Sequence, residues 1–343
     1  MEGLTNLLSV IGEEVEDAEE ESFLLFSQSI PSSNLGFVNS KATSIDLTIH
    51  EQEYTIHQSP TLLSSSRAGG TTGAVLWKIT PFFATWLSSP SNPLWTNDIL
   101  RPSSAVVELG CGISALTALA LAPLLSQGHY LATDQEYVRK LFRLNLEANP
   151  PTSSTAKSRS GCKISKGGKS SKGNKSASSN TGSGDKDRDQ GSLHPNITFS
   201  SLDWETDIPE TLKSQIQPSP SLSSSSSLHK GSSEAEEEQE DQGFDILLSC
   251  DCIYNEALIT PFVRTCAEIA QLRPSYSSFS SLSSSTKRPT ICIIAQQQRS
   301  PEVFEAWLVE TMRYFRVWRV SGDVLGRELG GDSGYLVHAL VVK

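Results

Sequence analysis

Apolar residues are scarce in this chain. Of its 343 residues only 37% are hydrophobic and 7% aromatic, whereas a packed soluble domain carries roughly 45–50% apolar residues, so part of the chain is not expected to pack. Long hydrophobic runs are missing too. Nothing approaches the roughly 18 consecutive apolar residues of a bilayer span, and no basic flank precedes an apolar block near the N-terminus. The expectation is a chain that neither crosses a membrane nor follows the standard secretory route. The six cysteines, at positions 111, 162, 250, 252, 266 and 292, are too dispersed for a disulfide scaffold, and Cys250 with Cys252 is a C-x-C without a second ligand pair. Reduced thiols in the cytoplasm or nucleus are expected, and no metal. Positive charge is in deficit, with 28 Lys and Arg against 39 Asp and Glu, net −11. That balance argues against direct nucleic-acid binding through the whole surface and suits a basic protein partner.

Three segments hold little that a core can use. Residues 151–192 are mostly Ser, Gly, Lys, Asn and Asp, with nine Lys or Arg against three Asp. Residues 217–242 contain a serine run at 223–227 and an acidic block from Glu234 to Asp241, and 274–288 are serine-rich. Such compositions cannot offset the entropy of ordering by burial. Without these 83 residues, 260 remain, the size of one α/β domain with an N-terminal extension. The expected organisation is an acidic extension over 1–34, holding the run Glu13 to Glu21, then one catalytic domain over 35–343 that carries the inserts as solvated loops.

Between the inserts, strand and helix patterns alternate. Ala105 to Leu109 reads as a strand, Gly110-Cys111-Gly112 as a turn, and Leu116, Leu119 and Ala120 as a helix face. His129 to Asp134 is a second strand ending in an acid, followed by a helix through Val138, Leu141, Phe142, Asn145 and Leu146. Ile197 to Phe199, Phe244 to Cys250 and Thr290 to Ala295 continue the series, with helices near 257–271 and 303–314. The last two strands, Phe315 to Val320 and Tyr335 to Val342, follow one another without a helical pattern, so one of them runs antiparallel. Ile45 to Ile49 with Tyr54 to Ile56 suggests a small hairpin ahead of the sheet. This order predicts a mostly parallel, Rossmann-like sheet with one antiparallel strand and a ligand at the carboxyl ends of its strands.

The glycine turn admits two cofactors. Gly110-x-Gly112 with Ala115 meets the relaxed dinucleotide fingerprint, Asp134 serving as the ribose acid. Glu108, two residues before the turn, weighs against a pyrophosphate, which favours amides free of nearby carboxylates. A sulfonium with a free amine tolerates it, so S-adenosylmethionine is favoured over NAD. Asp134 would accept from both ribose hydroxyls, or serve only as a helix cap.

Ser249-Cys250-Asp251-Cys252-Ile253-Tyr254 leaves its strand where a methyl acceptor would sit. Asp and Tyr are present, but the two prolines of a platform for planar base amines are not, which disfavours a nucleobase. A carboxylate and a phenol suit a lysine, whose ammonium has to be oriented and to lose a proton near pH ~10.4 before it attacks. Asp251 would hold the cation and Tyr254 shape the channel; the bland alternative is a helix cap beside a packed aromatic. Cys250 and Cys252 are read as buried fillers.

Five ordered motifs then carry a resemblance: Thr71 to Trp77, Val107 to Ser114, Ala132 to Glu136, Leu202-Asp203-Trp204 and Asp251 to Asn255. Over about residues 35–343, minus the inserts, the chain resembles the seven-β-strand protein-lysine methyltransferases. Its run 133–141 resembles the fungal branch that modifies a large-subunit ribosomal protein, the ribosomal lysine methyltransferase 5 family. The resemblance implies a methyltransferase fold and places Trp77, Gly110, Cys111, Gly112, Asp134, Trp204 and Cys250 around S-adenosylmethionine. Beside these, Trp204 would cover the adenine and Asp203 accept from its exocyclic amine, while Glu108 flanks the turn. It further implies in-line methyl transfer to a neutral lysine amine beside Asp251 and Tyr254, in a monomer acting on a basic 60S ribosomal protein. Competing readings are a methyltransferase for an elongation factor or a small molecule, a non-catalytic scaffold of the same fold, and a dehydrogenase.

Overall fold

Eight strands share one sheet in the order β1-β9-β10-β8-β7-β4-β5-β6, and β2 with β3 forms a separate hairpin. The strands are β1 (Gly12–Val15), β2 (Ser44–Ile49), β3 (Gln52–His57), β4 (Ala105–Leu109), β5 (His129–Asp134), β6 (Ile197–Ser201), β7 (Ile246–Cys250), β8 (Ile291–Gln297), β9 (Phe315–Val320) and β10 (Tyr335–Val342). The structure, a computed structural model, describes residues 2–29, 35–67, 70–151, 193–216, 243–273 and 288–343. Apart from their end residues Pro151 and Arg288, the three expected inserts lie outside the described residues.

Strands β6, β5, β4, β7 and β8 are parallel neighbours, and β10 runs antiparallel between β8 and β9. Apart from β1, this is the mostly parallel, Rossmann-like sheet with one antiparallel strand expected from the sequence. In β4 the side chains alternate: Val106 packs on one face, Val107 on the other, and both are fully buried. Parallel strands covered on both faces have this near-continuous apolar character. The helices that cover the first face are α1 (Glu2–Ile11), α3 (Ile79–Leu87), α4 (Leu116–Leu121) and α5 (Arg139–Ala148). The second face is covered by α2 (Ala18–Phe26), α6 (Ile259–Gln271) and α7 (Pro301–Tyr314). The order of strands reverses between β4 and β7, which opens the crevice where ligands of such sheets bind.

The expected boundary between residues 34 and 35 does not separate an extension from the core. Leu4, Leu7 and Ile11 of α1 are buried in the first core cluster, and β1 adds an eighth, antiparallel strand beside β9. Three acids of this segment are paired as well. Arg316 reaches Glu14 with two bonds of 2.7 and 2.6 Å, and Arg319 pairs with Glu13 and Glu21. The spacing of Leu4, Leu7 and Ile11 is an amphipathic helix pattern, outweighed in the sequence reading by the acidic run beside it.

Asn145 of α5 and Asn149, its C-cap, fasten the hairpin to that helix. Asn145 accepts from His57 N at 2.7 Å and donates to His57 O and to Ile113 O, while Asn149 makes the equivalent pair with Thr55. Asn145, fully buried, therefore acts as backbone-like glue between β3 and the loop after β4.

Candidate active site

At the end of β4 the chain turns back on itself. Gly110 and Gly112 both have left-handed backbones (φ +69° and +61°), and the amides of Gly110 and Cys111 donate to Thr133 O at 2.9 and 3.1 Å. A Cβ at Gly110 would run into Cys252 Sγ and lie 3.4 Å from the Trp204 ring. The turn floors a pocket of about 1010 Å³, its open mouth included, at the switch point of the sheet. Every site residue expected from the sequence lines this pocket: Trp77, Glu108, Gly110, Cys111, Gly112, Asp134, Asp203, Trp204, Cys250, Asp251 and Tyr254.

Asp134 is pinned by two backbone donors, Gly112 N to Oδ2 at 2.8 Å and Gln135 N to Oδ1 at 2.6 Å. Each oxygen keeps a further lone pair. Burial pushes its carboxyl up to about 6, against the opposing pull of those two amides. Glu108 is 2% exposed and accepts from Tyr130 Oη at 2.8 Å. Burial drives its carboxyl up to about 7, with Tyr130 and Thr117 opposing the shift.

A testable consequence follows for Glu108. Its folded-state value lies above the unfolded one, so the folded protein holds the proton more tightly, and this contribution to stability is lost as pH rises through about 7. Glu108→Gln should therefore stabilise the cofactor-free protein by roughly 2 kcal/mol at pH 8 and by little at pH 5. Urea melts at the two pH values check this; an equal effect at both would contradict it.

Asp203 spends one oxygen on Glu205 N at 2.9 Å, which shapes its own turn. Trp204 packs edge-on against Phe262 at 5.1 Å, and its Nε1 is buried without a hydrogen-bond partner among the described residues. A leftover buried donor on a residue that lines the same pocket as the glycine turn and the pinned acid fits a nucleoside ligand with hydrogen-bonding edges. The thiols of Cys111, Cys250 and Cys252 are pushed up by burial and stay protonated. Among the described residues no three His, Cys, Asp or Glu are grouped as metal ligands.

The acceptor side holds what the sequence reading missed. Thr72 Oγ1 donates to Tyr254 Oη at 3.2 Å, and Trp77 Nε1 donates to Thr72 O at 3.1 Å. Tyr137 lines the pocket beside Gly73, with Arg67 over its ring at 4.5 Å. Most consequential is Arg299, just past the end of β8, which grips both oxygens of Asp251 at 2.7 and 2.5 Å. Asp251 was expected as a lone carboxylate awaiting an ammonium. It enters the site instead as half of an ion pair, because the strand ends of β7 and β8 are neighbours in the sheet. The one sequence signal was a cation at a strand's carboxyl end, directly before the helix start Ser300-Pro301.

The strand order, the glycine turn at the switch point and the acid ending the next strand make a Rossmann-like site of the kind expected to hold a nucleoside cofactor such as S-adenosylmethionine. The relatives are more particular. Over 267 residues the chain is 29% identical to ribosomal lysine N-methyltransferase 5 of Zygosaccharomyces rouxii, covering 74% of this chain and 69% of that one. To the Candida glabrata protein of the same name it is 27% identical, covering 62% and 59%. A 136-residue stretch is 38% identical to diaminohydroxyphosphoribosylamino-pyrimidine deaminase of Schizosaccharomyces pombe, covering 39% of this chain; the chain spans about a third (32%) of that protein. No family model matches. Among solved structures, the fibrillarin pre-rRNA processing protein of Methanococcus jannaschii aligns over 90% of this chain and 98% of its own, at 9% identity and a TM-score of 0.37.

Proposed function

We propose that this protein transfers a methyl group from S-adenosylmethionine to a lysine side chain of a large-subunit ribosomal protein. The observation that carries the reading is the two-sided pocket: a glycine turn with a pinned acid on one side, and a mouth framed by Trp77, Thr72 and Tyr254 on the other. The names of the yeast relatives support the acceptor class. When bound, S-adenosylmethionine would supply an electrophilic methyl for the amine lone pair, the C–N bond forming as the C–S bond breaks towards sulfur and the proton of the product ammonium passing to solvent. Asp134 would orient its ribose, Glu108 and the turn amides would border its methionine end, Trp204 would cover its adenine, and Asp203 would accept from the adenine through its remaining oxygen. On the acceptor side Trp77 and Tyr254 form a narrow aromatic mouth for an extended aliphatic side chain. Catalysis in such a site is chiefly alignment and exclusion of water. The reading puts the protein beside ribosomes or their precursors, in the cytoplasm or nucleus, as a monomer whose acidic surface meets a basic substrate.

The test is incubation with methyl-labelled S-adenosylmethionine and large ribosomal subunits from a strain lacking the protein, followed by mapping of the labelled peptide. Label on a lysine of one large-subunit protein is expected. Label found only on an elongation factor or a small molecule would overturn the substrate, and cofactor binding without any transfer would overturn the activity.

A further inference from the structure

The acceptor mouth carries a cancelled charge. Asp251 leaves β7 with a left-handed backbone (φ +62°), its amide donates to Ala295 O at 2.7 Å, and its side chain is only 2% exposed. Besides Arg299, its Oδ1 accepts from Gln297 N at 3.1 Å. The guanidinium is a quarter exposed (25%) and lies 4.8 Å over the ring of Trp77, the residue whose indole is tied through Thr72 to Tyr254. Resting on the reading that this site methylates a lysine, we propose that Arg299 is a positioning residue that neutralises Asp251, so that the mouth admits an uncharged amine rather than an ammonium.

The chemistry gives the pair its purpose. A protonated amine has no lone pair with which to attack. A bare carboxylate at the mouth would favour the ammonium and raise its pKa, whereas a bare guanidinium would do the reverse. With both charges locked in one bidentate pair, neither acts at full strength on the acceptor, and the loss of water in the aromatic mouth favours the neutral form. The fork also fixes the plane that stacks on Trp77, which a lysine at 299 would not reproduce.

The other titratable groups around the pair do not mask this effect. Cys250 and Cys252 adjoin Asp251, Tyr335 at the start of β10 feels both charges, and Tyr254 feels Arg299; burial raises all four, so they stay neutral near pH 7. Glu108 and Asp134, across the pocket, titrate near 7 and 6, and Arg67 sits beyond Tyr137. These remain the same in every variant compared.

The test uses n-butylamine, a lysine side chain without a backbone, titrated into protein saturated with S-adenosylhomocysteine between pH 6.5 and 10. Wild-type affinity should rise with pH. Arg299→Leu exposes the carboxylate, so affinity at pH 7 should increase about tenfold and its rise with pH flatten; Asp251→Asn leaves the guanidinium alone and should weaken binding at pH 7 about tenfold. The double variant Asp251→Asn/Arg299→Leu leaves no buried charge without its partner and should regain the wild-type pH dependence, which keeps the test decisive if a single variant fails to fold. Losses of the same sign in both singles, with the pH dependence unchanged, would show that the pair only braces the fold. Loss in both the Asp251→Asn and the double variant, with Arg299→Leu unaltered, would show that Asp251 holds the amine itself. Amine binding that behaves as expected while ribosomal subunits stay unlabelled would count against the substrate and not against the pair.

Discussion

Gly110→Ala is expected to weaken S-adenosylmethionine binding by 100-fold or more. Two separate costs meet at this position. The left-handed backbone (φ +69°) disfavours any residue with a Cβ, by roughly 1–2 kcal/mol, and the methyl group would collide with Cys252 Sγ, 3.4 Å from the Trp204 ring. Strain alone accounts for about a tenfold effect. The collision adds to it because relief requires turning Cys252 Sγ away from Leu109 O and Gly110 O, or moving the turn, which breaks the bonds from Gly110 and Cys111 to Thr133 O. Cys252→Ala on the same background removes the sulfur but neither the backbone conformation nor the indole, so it should restore only part of the affinity. Calorimetric titration alongside thermal melts measures both; an alanine variant binding within threefold of wild type would refute the placement of the turn against the cofactor.

Asp134→Asn should cost a comparable 100-fold for a different reason. Both carboxylate oxygens accept backbone amides, from Gly112 and from Gln135, and an asparagine has one acceptor oxygen to offer. One amide would face the new NH₂ group, leaving a buried donor unpaired at a cost of about 1–3 kcal/mol, and an acceptor for the ribose would be lost besides. The pH dependence separates this role from a purely structural one. The carboxylate form accepts from the ribose hydroxyls, so wild-type affinity should hold above about pH 6 and fall as the group protonates below it. Glu108, titrating near 7, contributes equally in both proteins. Asp134→Asn should bind weakly with the limb below pH 6 abolished; a limb that persists in the variant would assign it to another group.

These two residues were also the most legible in the sequence. Gly110 and Gly112 follow an apolar run, and Asp134 ends the next one; a strand followed by a tight turn leaves few alternatives to a parallel crossover. Trp77 and Trp204 were legible only through their motifs, since an aromatic residue in a mixed segment has no periodicity that separates a pocket wall from a core. Residues 2–26 were misjudged because the acidic run concealed the apolar spacing of Leu4, Leu7 and Ile11, and because the arginines that pair with its acids, Arg316 and Arg319, lie some 300 positions away in the chain.

Local pattern thus determined the strands and helices, the glycine turn and the acid that ends the next strand, because each depends on neighbours within a few residues. The scarcity of apolar residues was likewise traced, from composition alone, to three segments rich in serine and charge. Pairings across the sheet were decided by tertiary structure alone. Asn145 looked like one more position on a helical face and proved to join β3 to the cofactor loop. Asp251 looked like a free carboxylate and proved to be held by Arg299, 48 residues on. A carboxylate's chemistry depends on whether a cation sits within hydrogen-bond distance, and that distance is set by which strands lie side by side.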